Sequence, residues 1–128
     1  MKKILSLCSL MICAVILLSS CSKVEISGDT ATLYYIYGDK SIQQVLTDDE
    51  TDIIIGIFDG KELYSDTPSC SFNESVSILI GGTFYQIATD DCGIIKESKS
   101  SKYFDISTKE RLAIEMIFAS YGGTFPCP

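Results

Sequence analysis

The chain has 128 residues and a formal charge of −7, with 17 acidic residues, 10 lysine or arginine residues and no histidine. Its length suits a single domain, and its hydrophobic content of 46% argues against disorder. The absence of histidine excludes histidine-based triads and histidine-ligated metal sites, and the acidic balance argues against a nucleic-acid partner.

The first twenty-one residues have the layout of an export signal. Lys2 and Lys3 precede an apolar run, Ile4 to Leu18, which is shorter than the roughly 20 residues that a membrane span needs. The run ends in Leu18-Ser19-Ser20-Cys21, which resembles the lipobox of bacterial lipoproteins. The resemblance implies that residues 1–20 are a removed signal peptide and that Cys21 carries acyl chains. An ordinary cleaved signal peptide and an uncleaved anchor are the alternatives.

A lipid on Cys21 would hold the protein on a bilayer without a spanning helix. In bacterial lipoproteins an aspartate after the lipidated cysteine can retain the protein at the inner membrane; Ser22 is not such a signal, which favours the outer membrane of the cell envelope. Removing residues 1–20 takes away two lysines and no acids, which leaves a formal charge of −9. Because anionic head groups repel such a body, we expect residues 21–29 to be a tether and residues 30–128 a single domain.

Residues 31–37 and 40–45 flank Gly38-Asp39 and predict a hairpin with a two-residue turn. Because strand side chains alternate between faces, Tyr35 and Tyr37 share one face with Leu33. These two tyrosines are therefore either core residues or a candidate binding surface for a sugar or a protein partner.

Two capped segments predict helices. Thr47 with Glu50, and Ser107 with Glu110, each have the spacing of a capping box. A shift of sixty residues aligns the two segments. An internal ββα duplication is one explanation, and a pattern shared by any two capped amphipathic helices is the alternative. A strand over 53–58 is the alternative for the first segment because it contains four isoleucines and a central glycine.

Alternating residues on both sides of Gly81-Gly82 predict a second hairpin, in which Ile78 lies opposite Tyr85. The same register brings Cys70 close to Cys92, so these two cysteines are the predicted disulfide, with Cys127 as a competitor or a free thiol. A three-cysteine zinc site lacks the usual ligand spacing, and a catalytic cysteine lacks a histidine base, so we expect no metal, no cofactor and no catalytic residue.

The segments 94–97 and 102–105 predict a third hairpin. The expected fold is therefore α+β, an antiparallel sheet of hairpins with two helices on one face. The acidic residues Asp48, Asp49, Glu50 and Asp52 suit the start of a helix better than a metal site, and Asp90-Asp91 suits a solvated loop.

Three functions fit these features. The first is a membrane-anchored envelope lipoprotein that serves as a non-catalytic binding or protective module. The second is an accessory lipoprotein of an uptake system that binds glycans or peptides, for which a concave aromatic cleft would be the signature. The third is a small hydrolase or thiol enzyme that uses Cys127 or carboxylates. The sequence favours the first because no catalytic constellation accompanies the predicted anchor.

Overall fold

The computed structural model describes residues 22–128, which form one six-stranded antiparallel sheet and two helices. The predicted export segment and Cys21 lie outside these residues. The strands are β1 (Ala31–Tyr37), β2 (Lys40–Val45), β3 (Val76–Ile80), β4 (Thr83–Ile87), β5 (Ile94–Glu97) and β6 (Lys102–Asp105), and the helices are α1 (Asp48–Phe58) and α2 (Thr108–Ser120). The fold is α+β, as the sequence predicts.

The strand order across the sheet is β2-β1-β3-β4-β5-β6, and all three predicted hairpins are present. The predicted register of the central hairpin is confirmed, since Ile78 pairs with Tyr85. Its turn requires glycine, because Gly81 has a φ of +55° and a Cβ there would lie 1.6 Å from the Ser27 carbonyl oxygen. This close approach places the N-terminal segment against the end of the central hairpin.

Both helices begin at the predicted capping boxes. The Glu50 N–H donates to the Thr47 hydroxyl at 3.2 Å, and the Thr47 N–H donates to the Glu50 carboxylate at 3.0 Å. Ser107 and Glu110 form the same pair of bonds at the start of α2. The alternative strand over 53–58 is wrong, because this cap starts a helix whose residues Ile54, Ile57 and Phe58 are buried as one stripe.

The two helices cover one face of the sheet, which we call the packed face. The Phe58 ring of α1 lies 5.1 Å from Tyr85 and 5.4 Å from Phe104, measured between ring centroids. Phe118 of α2 lies 6.2 Å from Tyr35. The other hydrophobic residues that strands bury on this face are aliphatic: Ala31, Leu33, Val76, Ile78, Ile80, Ile87 and Ile95. Glu97, which pairs with Tyr85, is a buried acid on the same face.

The two ends of the sheet repeat one arrangement. Helix α1 follows the hairpin at one edge, and α2 follows the hairpin at the other. Just beyond each edge strand, Leu46 donates its N–H to the Ala31 carbonyl and Ile106 donates its N–H to the Gly93 carbonyl, both at 2.9 Å. This correspondence agrees with the sixty-residue repeat in the sequence.

Part of the segment predicted to be a tether is docked on the domain. Val24 is 1% exposed, and it exchanges backbone hydrogen bonds with Gly60 and Lys61. The Leu63 N–H donates to the Ser22 carbonyl at 2.9 Å, so the docked backbone begins at the first described residue. Within residues 22–128, neither helix is long and apolar enough to cross a membrane.

Candidate binding groove on the open face of the sheet

Of the two interpretations of Tyr35 and Tyr37, core residues or a binding surface, the positions of their rings agree with the first. Tyr35 is 1% exposed, and its hydroxyl donates to the Thr124 carbonyl at 2.7 Å. Burial and the neighbouring Cys127 raise the pKa of this phenol, so it stays neutral. Tyr37 is half-buried and packs against the same core. Both rings point to the packed face, and the core alternative is the one the structure supports.

The cysteines take the predicted positions. Cys70 and Cys92 form a disulfide with Cα atoms 5.9 Å apart. Cys127 is a free, half-buried thiol. Burial raises its pKa above the ordinary value, which outweighs the opposing effects of Tyr35 and Arg111. A thiol that stays protonated is a poor nucleophile, so this geometry gives no support to a thiol enzyme.

The acidic residues singled out in the sequence serve local structure. Asp48, Asp49 and Glu50 lie in the first turn of α1. The Asp90 carboxylate accepts hydrogen bonds from the N–H groups of Ser71 at 2.9 Å and Cys92 at 3.1 Å. A carboxylate oxygen of Asp90 and the sulfur atoms of Cys70 and Cys92 lie within 4.8 Å of one another, the spacing of a set of metal ligands. Those sulfurs are bonded to each other, however, and are not thiolate ligands.

The face of the sheet opposite the helices, which we call the open face, holds a groove. Five of the described residues line the groove, and its volume is about 340 Å³, near the lower limit for small-molecule sites. Phe84, Gln86 and Ser98 come from β4 and from the residue after β5, and Glu74 and Ser75 come from the loop that leads into β3. Register explains why these strand residues meet, since Phe84 and Gln86 alternate with the buried Tyr85 and Ile87.

Gln86 is the central polar residue of the groove. Only 7% of the residue is exposed. Among the described residues, no hydrogen bond engages its amide, and no fully buried side-chain nitrogen or oxygen lacks a partner, so the amide atoms meet solvent at the groove. An amide offers two donors and two acceptor sites. The amide tip therefore faces the groove with its hydrogen-bonding capacity unused, and this is the feature expected of a ligand contact.

An aromatic pair forms one wall beside this amide. Phe84 is 39% exposed, and its ring lies 5.8 Å from the ring of Tyr34, measured between centroids. Tyr34 belongs to β1 and faces the open side because it alternates with Leu33 and Tyr35. The Phe84 ring is thus backed by a second ring and presents a fixed apolar surface to the groove.

The loop that supplies Glu74 and Ser75 is anchored at several points. The Ile36 N–H donates to the Ser75 carbonyl at 3.0 Å, and the Ser75 N–H donates to the Asn73 side chain at 2.9 Å. The disulfide at Cys70 and the bond from the Thr89 N–H to the Ser71 carbonyl hold its earlier part. The groove is therefore preformed on both sides, which lowers the entropic cost of binding.

The charges around the groove are few and opposite in sign. Glu74 supplies one carboxylate at the loop side. Lys96 pairs across strands with Gln86, and its ammonium group lies 5.9 Å from the centroid of the Tyr103 ring. The remaining polar groups, the hydroxyls of Ser75 and Ser98, are neutral. The groove is therefore suited to a polar ligand without net charge.

Two other depressions lie on the helix layer, with volumes of about 290 and 270 Å³. Their linings are more apolar and include Met116, which is 65% exposed. The one carboxylate in the first, Glu50, is already engaged by the Tyr121 hydroxyl and by the helix cap. Among the described residues, no polar residue that lines these two depressions is as deeply buried as Gln86.

Sequence reasoning missed Tyr34, Phe84 and Gln86. The signal was present in the predicted register, because placing Tyr85 and Ile87 on the core side puts Phe84 and Gln86 on the other side. It also missed Arg111, which is 5% exposed and donates to the carbonyls of Ala88, Asp90 and Cys92. Arg111 thereby holds the loop that carries the disulfide, a role that depends on tertiary contacts alone.

No protein family, curated protein or solved structure matches this chain in the three comparisons. The features of this chain that bear on function are therefore the groove and the sequence of the predicted export segment.

Proposed function

We propose that the protein is a lipid-anchored binding module of the bacterial cell envelope and that the groove on the open face is its binding site. The observation that carries the binding role is the amide of Gln86, which makes no hydrogen bond among the described residues and opens to solvent in the groove beside the exposed Phe84 ring. Its donors and acceptors are available to a ligand without breaking a bond within the protein. No catalytic role is proposed, since the only free thiol in residues 22–128 is held in its protonated form.

The anchor is proposed from Leu18-Ser19-Ser20-Cys21, whose resemblance to a lipobox implies acylation of Cys21. The outer membrane is the favoured location, because Ser22 is not an inner-membrane retention signal. Ser22 accepts a backbone hydrogen bond from Leu63, so the lipid would be attached one residue away from a docked position. Such an anchor would hold the domain close to the bilayer surface rather than on a long spacer.

The anchor is tested by fractionating cells that express the full chain or its Cys21→Ala variant, with labelled palmitate as the lipid probe. We expect the original protein in the membrane fraction with label and the variant outside it without label. A variant that stays in the membrane fraction would contradict the lipid anchor.

The binding site is tested by photo-crosslinking in intact cells. A benzophenone amino acid replaces Phe84 in the groove or, as the control, Met116 on the helix layer, which is also exposed and apolar. We expect an adduct of constant mass from position 84 and none from position 116. An adduct only from position 116, or no adduct from either position, would contradict the groove as the binding site.

A further inference from the structure

We infer that the ligand of the groove is a neutral sugar unit of a glycan, recognised by stacking on Phe84 and by paired hydrogen bonds to Gln86. This inference names the ligand class of the proposed binding site and depends on that proposal. Three features of the groove lead to it: the arrangement of the amide and the ring, the balance of charge, and the position of the groove over the middle of the sheet.

The amide and the ring match the two surfaces of a pyranose. Adjacent hydroxyl groups of a sugar can donate one hydrogen bond to the amide oxygen of Gln86 and accept another from its nitrogen. The C–H face of the sugar carries a small positive potential, which suits the negative face of the Phe84 ring. The hydroxyls of Ser75 and Ser98, together with the Glu74 carboxylate, supply further partners for sugar hydroxyls around the rim.

The charge of the groove argues most strongly against an anionic ligand. Glu74 repels an anion, and its attraction for a cation is offset by Lys96, the cross-strand neighbour of Gln86. The whole body carries a formal charge of −9 after removal of residues 1–20, which adds to the repulsion of anions. A neutral polyhydroxylated ligand avoids both penalties.

The position of the groove argues against an extended peptide. Peptides that bind sheets commonly add a strand to an exposed edge, where main-chain groups are free. The groove lies over β4, whose two sides pair with β3 and β5. A peptide there would find side chains but no free strand edge, whereas a compact sugar needs only the side chains. A volume of about 340 Å³ also suits a ligand of one or two sugar rings better than a long segment.

The test measures binding of neutral disaccharides to the full chain in detergent micelles by calorimetry and by saturation-transfer NMR. The probes are maltose, cellobiose, lactose and N,N′-diacetylchitobiose, with tetra-alanine and glucose 6-phosphate as peptide and anionic probes. Gln86→Met keeps the buried stem and removes the amide, and Phe84→Leu removes the stacking ring. Met116→Leu, on the helix layer, is the matched control.

We expect at least one neutral disaccharide to bind and tetra-alanine and the sugar phosphate to bind at least tenfold more weakly. Gln86→Met and Phe84→Leu should each lower the sugar affinity at least tenfold, while Met116→Leu leaves it unchanged. Absence of binding by all four disaccharides overturns the sugar assignment, as does sugar binding that both groove variants retain. Tetra-alanine binding that Gln86→Met abolishes would overturn the sugar class but leave the groove as the binding site, so the two proposals fail separately. Unfolding curves of each variant confirm that it is folded.

Discussion

The two faces of the sheet have the same strands and opposite chemistry. On the packed face, Ile78 and Tyr85 are paired and buried beneath α1 and α2. On the open face, the next residues along the same strands are Ser77 and Gln86, which also pair with each other. One face excludes water by apolar packing, whereas the other keeps a polar row between aromatic side chains. The packed face therefore stabilises the fold by apolar burial, and the open face, where Ser77 and Gln86 are buried but polar, is the one for which we propose a role in recognition.

The strongest test of this comparison exchanges one phenylalanine on each side of the sheet for alanine. Phe58 is fully buried between Tyr85 and Phe104, so Phe58→Ala should lower the free energy of unfolding by about 3–5 kcal/mol. Phe84 is 39% exposed, so Phe84→Ala should cost less than about 1.5 kcal/mol. Urea unfolding measures both values. Equal losses would show that the open face is as important for stability as the packed face.

The sequence made the packed face predictable because its chemistry is local and periodic. Alternation placed Ile78 with Tyr85, and the capping boxes at Thr47 and Ser107 fixed the helix starts. Each of these signals acts over a few residues, so no knowledge of the tertiary structure was needed.

The open face was harder to predict because its groove joins residues that are distant in sequence. Glu74 reaches the groove only because the disulfide and backbone bonds fix the loop before β3. The role of Tyr35 stayed open between core and binding surface for a related reason. Three tyrosines within four residues give no sign of which face is covered, and the tyrosine that faces the open side is Tyr34. That choice depends on where α2 and the C-terminal segment pack.

Removal of the disulfide should affect the open face more than the packed face. The double variant Cys70→Ala/Cys92→Ala releases a loop whose ends are 22 residues apart, which should lower the free energy of unfolding by about 3 kcal/mol on the chain-entropy model. The loop that carries Glu74 and Ser75 then loses its anchor. Amide hydrogen exchange should therefore rise in residues 65–75 while protection in β3 stays high. Cys127→Ala is the control, because it removes a cysteine and leaves the disulfide intact. An equal loss of amide protection in residues 65–75 and in β3 would contradict a local effect.

Acid should weaken the helix layer through its caps. Burial raises the pKa of Glu110, but hydrogen bonds from Lys61 and Ser107 outweigh it and hold the pKa below the ordinary value of 4.5. The carboxylate therefore stabilises the folded state at pH values above 4.5. This stabilisation disappears as the pH falls through the pKa of Glu110 in the folded state, which is lower than 4.5. Glu110→Gln keeps the capping acceptor and removes the charge. Urea unfolding curves recorded from pH 7 to 3 should show that the free energy of unfolding falls less for Glu110→Gln than for the original chain.

The smallest effect on stability should come from the residue that we place at the centre of recognition. Gln86→Met keeps an unbranched buried stem and removes an amide that makes no hydrogen bond within the described residues, so the free energy of unfolding should change by less than about 1 kcal/mol. The matched change on the packed face is Ile78→Val, which removes one methyl group and should cost about 0.5–1.5 kcal/mol. A loss of 2 kcal/mol or more for Gln86→Met, at the scale of a buried hydrogen bond left unmade, would mean that the amide stabilises the fold. In that case Gln86 would be part of the structure of the sheet, and the contrast between the two faces would no longer support a binding role for the groove.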